Sequence, residues 1–113
     1  MMVSLEITRN DFLIAKINYH PGFLVEIQVS ELFVNQKIEY HTSHHHGKLS
    51  GYWDQVLDQY FNEWIFESRS DMFPDEAPRS GCAREHKNLF LAASRALEKD
   101  LGPHGYKFNV SFN

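Results

Sequence analysis

Residues 52–67 read YWDQVLDQYFNEWIFE, and this stretch decides the fold. Its large apolar residues recur at helical spacing and form one wide stripe, made by Trp53, Val56, Leu57, Tyr60, Phe61, Trp64 and Ile65. Burying these side chains contributes about 10–20 kcal/mol before chain entropy is subtracted. We therefore expect a core helix here, and the alternative is an aromatic face exposed to a partner.

Acidic residues are concentrated in this helix and just beyond it. Residues 50–78 contain seven acids and one base, a net charge of −6; because the whole chain carries −4, the remainder carries +2. The seven acids are Asp54, Asp58, Glu63, Glu67, Asp71, Asp75 and Glu76. Such a surface repels a phosphate backbone and attracts a basic protein. We expect a basic protein partner and no nucleic-acid partner; the competing interpretation is an ordinary solvated helix face.

The length and composition indicate one small domain, residues 1–113. A hydrophobic fraction of 42% and an aromatic fraction of 14% support a packed core without covalent staples. Cys82 is the only cysteine, which excludes an intramolecular disulfide and fits a reducing compartment. No apolar run approaches the length of about 18 residues that a membrane helix needs, and the first residues lack signal-peptide features. We expect a cytoplasmic protein with no membrane contact.

Four strands are predicted before the helix. Apolar residues alternate with polar ones from Val3 to Thr8, and residues 12–19 and 23–29 flank His20-Pro21-Gly22, which predicts a hairpin. In residues 12–19 one face is expected to hold Leu13, Ala15, Ile17 and Tyr19. Residues 31–40 fit a strand better than a short helix from Ser30, because alternate residues would share a face: Leu32, Val34, Gln36, Ile38 and Tyr40.

The rest of the chain predicts two helices and a last strand. A polar loop over residues 41–48 leads to a helix cap at Ser50 or Gly51, and a long loop spans residues 70–81. The second helix covers residues 83–101 and buries His86, Leu89, Phe90, Ala93, Ala96, Leu97 and Leu101. Gly102 is expected to take the left-handed conformation that ends it, and residues 106–112 form a strand able to pair in parallel. The order β-β-β-β-α-α-β predicts an α+β fold, a mainly antiparallel sheet with two helices on one face.

A histidine cluster is the most obvious candidate for chemistry. His41, His44 and His46, with His45 between them, can present imidazoles together on a turn or strand. No further ligand follows at a recognised spacing, so we expect no cofactor and leave biological or adventitious metal binding as alternatives. A small hydrolase or nuclease using these histidines, with or without a metal, is the enzyme alternative to a binding protein. A pH-sensing role is also open, since imidazoles gain charge below about pH 6.5.

Other routes to function are less specific. Cys82 precedes a predicted helix, yet Asn88 stands where a phosphatase loop places arginine, and a half-buried thiol is expected. No phosphate-binding loop or hydrolase motif is present. A third interpretation is a structural homodimer that pairs through an exposed edge strand at residues 106–112.

A small acidic α+β domain without a catalytic motif resembles the immunity proteins that bacteria make against their own polymorphic or contact-dependent toxins. The resemblance is one of overall profile. It implies a protein that binds a basic toxin domain, often a nuclease, and blocks its active site. The seven acids of residues 50–78 are the expected contacts, standing in for substrate phosphates. An aromatic residue off the main stripe, Tyr52 or Phe66, is the expected anchor.

Overall fold

The computed structural model describes residues 2–20, 25–41, 48–59, 61 and 83–112, without the side chains of residues 83–86, 88 and 89. The described strands are β1 (Val3–Arg9), β2 (Phe12–Tyr19), β3 (Glu26–Val29), β4 (Lys37–His41), β5 (Lys48–Tyr52) and β6 (Tyr106–Phe112). The described helices are α1 (Trp53–Asp58) and α2 (Ala83–Leu101), followed by a 3-10 turn at Gly102–His104. The α+β class predicted from the sequence is confirmed.

The main sheet has the order β3-β2-β1-β6 with antiparallel neighbours throughout. Asn10 and Asp11 join β1 to β2 with φ of 52° and 68°, a left-handed conformation that Asn and Asp tolerate best after Gly. Pairing is irregular at this end, because Ile7 faces Ala15 while Thr8 faces Leu13. The extra residue is Ile14, and such a bulge moves Leu13 off the face of Ala15. The expected face is therefore wrong at Leu13, which is 42% exposed.

The last strand runs antiparallel to β1, so the predicted option of parallel pairing is wrong. Arg9 faces Tyr106 and Val3 faces Phe112. The reason is that α2 and its 3-10 turn bring the chain back to the Arg9 end of β1. Gly105, with φ of 92°, takes the left-handed conformation there, and not Gly102 as expected. Residues 106–112 do form an edge strand, while self-association through it stays a prediction.

The segment before α1 differs most from expectation. Residues 31–35 form turns in place of the first half of a predicted strand, and Leu32 and Val34 are exposed. Backbone bonds from Phe33 N to Ser30 O and from Gln36 N to Phe33 O, 2.9 and 3.1 Å long, close these turns. β4 and β5 then form a separate two-stranded sheet. β5 was not predicted, because Leu49 is its one buried residue and no alternation is visible.

The N-cap of the first helix lies one residue after Gly51, the later of the two expected caps. Tyr52 takes the N-cap position, not Ser50 or Gly51, because β5 extends through both residues. Gln55 Oε1 accepts a hydrogen bond from the Tyr52 backbone N–H at 3.2 Å, which satisfies a donor at the start of the helix. The predicted continuation of this helix beyond residue 61 lies outside the described residues.

Both helices share one core with the main sheet. Trp53, Val56, Leu57 and Phe61 are almost fully buried, which confirms the core interpretation for the described part of the stripe. Phe90 of α2 packs on Tyr19 and Phe61, with ring centroids 5.6 and 5.4 Å apart. The rest of the described α2 stripe is also buried: Ala93, Ala96, Leu97 and Leu101. The side chains of His86, Leu89, Tyr60, Trp64 and Ile65 lie outside the described set.

A cluster of aromatic side chains with polar groups connects the main sheet to the two-stranded sheet. The hydroxyls of Tyr106 and Tyr40 lie 2.8 Å apart, and the Trp53 ring meets Tyr106 edge-on at 5.4 Å. The His104 ring lies 4.5 Å from that of Tyr40. Burial, helped by the Tyr40 hydroxyl, raises the pKa of Tyr106 to about 12, so this phenol stays protonated at neutral pH. No helix in the described residues is long and apolar enough to cross a membrane.

Candidate partner-binding surface

The outward side of α1 carries the first of the predicted contact residues. Trp53, Val56 and Leu57 point into the core, so the 3.6-residue repeat turns the intervening positions outward. Asp54, Gln55 and Asp58 are accordingly exposed. α1 therefore presents two carboxylates to solvent because its other side is fixed by the buried tryptophan.

These residues line a groove between α1 and β3. The groove has a volume of about 360 Å³ and is lined by Asp54, Gln55, Asp58, Val25 and Ile27, which we call the acidic groove. Val25 is buried and Ile27 half-buried, and both pack with the core. An apolar wall beneath two carboxylates suits a long basic side chain, whose stem is apolar and whose head is charged.

The two carboxylates stand four residues apart, which places their Cβ atoms about 5–6 Å apart on one helix face. Like charges at this spacing destabilise a helix by about 0.2–0.5 kcal/mol. Asp54 also lies in the first turn, where a negative charge interacts favourably with the helix dipole. It forms no ion pair with any other described residue. A basic side chain of a partner can therefore pair with Asp54 without displacing a described residue of this chain.

Tyr52 has a different setting from the acids. It is half-buried at the end of β5, and the Lys37 ammonium lies 5.3 Å from the centroid of its ring. A lysine of this chain therefore already occupies one face of the predicted anchor. Its role at an interface stays a prediction.

The other predicted contacts lie outside the described residues: Glu63, Glu67, Asp71, Asp75, Glu76 and Phe66. The structure brings together Asp54 and Asp58, and it adds Val25 and Ile27, which the sequence assigned only to a strand face. No sequence pattern predicts this meeting, because it depends on how α1 crosses the edge strand β3.

The histidine hypothesis is only partly visible in the structure. His41 is exposed at the end of β4, whereas His44 and His46 lie outside the described residues, as does Cys82. Within the described part of the chain, no three His, Cys, Asp or Glu residues are grouped as metal ligands. The metal-binding and hydrolase hypotheses therefore stay predictions from the sequence.

No protein-family model matches the chain, and no curated protein or solved structure matches it. The resemblance to immunity proteins therefore rests on the overall profile of the sequence.

Proposed function

We propose that this protein is a non-catalytic binding protein of the immunity type, which neutralises a basic, nuclease-type toxin domain in the cytoplasm. The observation that carries the proposal is the acidic groove. Two exposed carboxylates stand one helical turn apart beside a wall formed by Val25 and Ile27. Both carboxylates belong to residues 50–78, which hold seven of the chain's acids.

The chemistry of the groove favours lysine or arginine as the contacting group. A guanidinium bridging Asp54 and Asp58 would form charge-assisted hydrogen bonds, and its methylene stem would cover Ile27. In a nuclease, lysine and arginine side chains bind the substrate phosphates, so occupying these side chains blocks catalysis. Electrostatic attraction of this kind acts mainly on the association rate and weakens with salt.

The first experiment identifies the partner and asks what it does. The protein, carrying a tag other than histidine, captures its partner from source cells, and mass spectrometry identifies it. We expect one basic protein at equal stoichiometry, and we expect its nuclease activity to be lost when this protein is added. A captured partner without toxic or nuclease activity would contradict the immunity function.

Association kinetics with the purified partner then test the groove itself. Asp54→Lys combined with Asp58→Lys is expected to slow association at least about tenfold at low salt, because two attractive charges become repulsive. The matched control is Glu31→Lys combined with Glu98→Lys, which changes the net charge equally at exposed positions elsewhere. Equal slowing by both pairs would assign the effect to net charge and would contradict a role for the groove.

A further inference from the structure

A second concave site lies where four parts of the chain meet, and it is positively charged whereas the acidic groove is negatively charged. It has a volume of about 280 Å³, near the lower limit for ligand pockets. We call it the Arg9 cavity, and its lining residues are Arg9, Asn10, Phe12, Ile14, Phe33, Gln36 and Tyr106. They come from the β1–β2 turn, the bulge in β2, the turns of residues 31–35 with the residue after them, and the start of β6.

Arg9 brings a positive charge that the described residues leave without an anion. Its Nη1 donates to the Tyr106 hydroxyl at 3.4 Å, and its guanidinium carbon lies 4.8 Å from the centroid of that ring. No described carboxylate forms an ion pair with it. A guanidinium has five N–H donors, so most of them have no acceptor among the described residues.

Gln36 adds donors whose orientation is fixed by its neighbour. Trp53 Nε1 lies 2.9 Å from Gln36 Oε1, and an indole nitrogen can only donate, so the oxygen of the amide must face the tryptophan. The amide Nε2 therefore points away from Trp53. No described residue accepts a hydrogen bond from it, and Gln36 lines the cavity.

The remaining walls are neutral or apolar. Phe12, Ile14 and Phe33 provide hydrocarbon surface, and Phe12 is 56% exposed. The Tyr106 hydroxyl is occupied by Tyr40 and Arg9 and is protonated at neutral pH. The cavity thus combines surplus donors with an apolar wall and contains no carboxylate among its described lining residues.

We propose that the Arg9 cavity binds a small organic carboxylate with an apolar body, held by the Arg9 guanidinium and the Gln36 amide and packed on Phe12 and Phe33. A carboxylate matches a single guanidinium bidentately. The small volume suits a ligand with one ring or a short aliphatic chain. This site shares no lining residue with the acidic groove, and its existence does not depend on the immunity function.

The test is an NMR titration of the isotope-labelled full chain with benzoate, using neutral benzamide as the matched probe. Benzoate is expected to bind saturably, with a Kd of about a millimolar or tighter, and to shift the amide signals of Arg9, Phe33, Gln36 and Tyr106. Benzamide is expected to bind at least about tenfold more weakly, because it lacks the charge. Equal binding of the two probes, or no saturable binding of benzoate, would overturn the proposal.

Two variants assign the effect to the proposed donors. Arg9→Met is expected to weaken benzoate binding at least about tenfold, whereas Arg95→Met, the same charge change on the exposed side of α2, leaves it unchanged. Gln36→Glu keeps the oxygen that Trp53 needs but replaces the donor with a negative charge. It is expected to abolish benzoate binding while the amide spectrum shows an intact fold. Full benzoate affinity in a folded Gln36→Glu protein would contradict the proposed geometry.

Discussion

The acidic groove and the Arg9 cavity carry opposite charges and are built in opposite ways. The groove takes both of its charges from one turn of one helix, and both are exposed. The cavity takes its charge from a single half-buried arginine over the Tyr106 ring, and four segments of the chain line it. Exposed charges act mainly through long-range attraction, whereas donors that converge on one cavity act through geometry. The negative net charge of the chain therefore agrees with the acidic groove and gives no indication of the Arg9 cavity.

Trp53 connects the two regions, and its removal is expected to have the largest effect. The side chain is fully buried, bonds to Gln36 and packs on Tyr106, while the next residue is Asp54. Trp53→Ala is expected to lower the free energy of unfolding by about 3–5 kcal/mol, measured by urea denaturation. A loss below about 1 kcal/mol would show that α1 is not anchored through this ring. Trp53→Phe is the milder control, since it keeps most of the volume but loses the bond to Gln36.

Gly105, which lies beside Arg9, is expected to have the next largest effect. Its φ of 92° is strained for any residue with a side chain, and an added Cβ would lie 3.6 Å from Arg9 Nε. Gly105→Ala is expected to cost about 1–2 kcal/mol in thermal or urea unfolding. Gly102→Ala is the matched control, because nothing lies within 4 Å of an added Cβ and no left-handed φ is required there. Equal costs at both glycines would contradict the conformational explanation.

The stability that Tyr106 contributes at the Arg9 cavity is expected to depend on pH. Because the folded protein raises its pKa from 10.0 to about 12, the folded state holds this proton more tightly than the unfolded state. The resulting stability is fully present below about pH 10 and is lost as pH rises through about 12. Tyr106→Phe is expected to cost about 0.5–1.5 kcal/mol at neutral pH, and this difference from the wild type should shrink above pH 10. A difference that is constant with pH would contradict the raised pKa.

The smallest effect is expected at the acidic groove. Asp54→Asn loses a favourable interaction with the helix dipole and relieves repulsion from Asp58, so the net change in unfolding free energy is expected to be within about 0.5 kcal/mol. Denaturation at low and high salt measures it. A large loss of stability would mean that this carboxylate serves the fold, which would remove the main support for a binding surface.

Much of the fold was predictable because its elements follow local periodicity. The bounds of α2, the β2–β3 hairpin and the strand at residues 106–112 were correct to within a few residues, since apolar spacing and turn residues mark them directly. β5 was missed because a strand with one buried residue has no period. Residues 31–35 were mistaken for a strand because Leu32 and Val34 alternate although neither is buried.

The candidate site divides in the same way. The exposure of Asp54 and Asp58 followed from the apolar stripe of their own helix, so the sequence predicted them without knowledge of any neighbour. Val25 and Ile27 were not predictable as their companions. The contact joins residues nearly thirty positions apart, and it depends on the angle at which α1 packs across β3.

The sequence by itself determined the class of fold, the apolar stripe of α1 and the position of Asp54 and Asp58 off that stripe, while the structure decided that the stripe is buried. These features depend on residues a few positions apart, whose relative directions are set by the repeat of a helix or strand. Only the tertiary structure decided that Arg9, Gln36 and Tyr106 share one cavity. Their meeting depends on antiparallel β1–β6 pairing, on the bulge at Ile14 and on a turn where a strand was expected, and packing of the whole chain determines each of these.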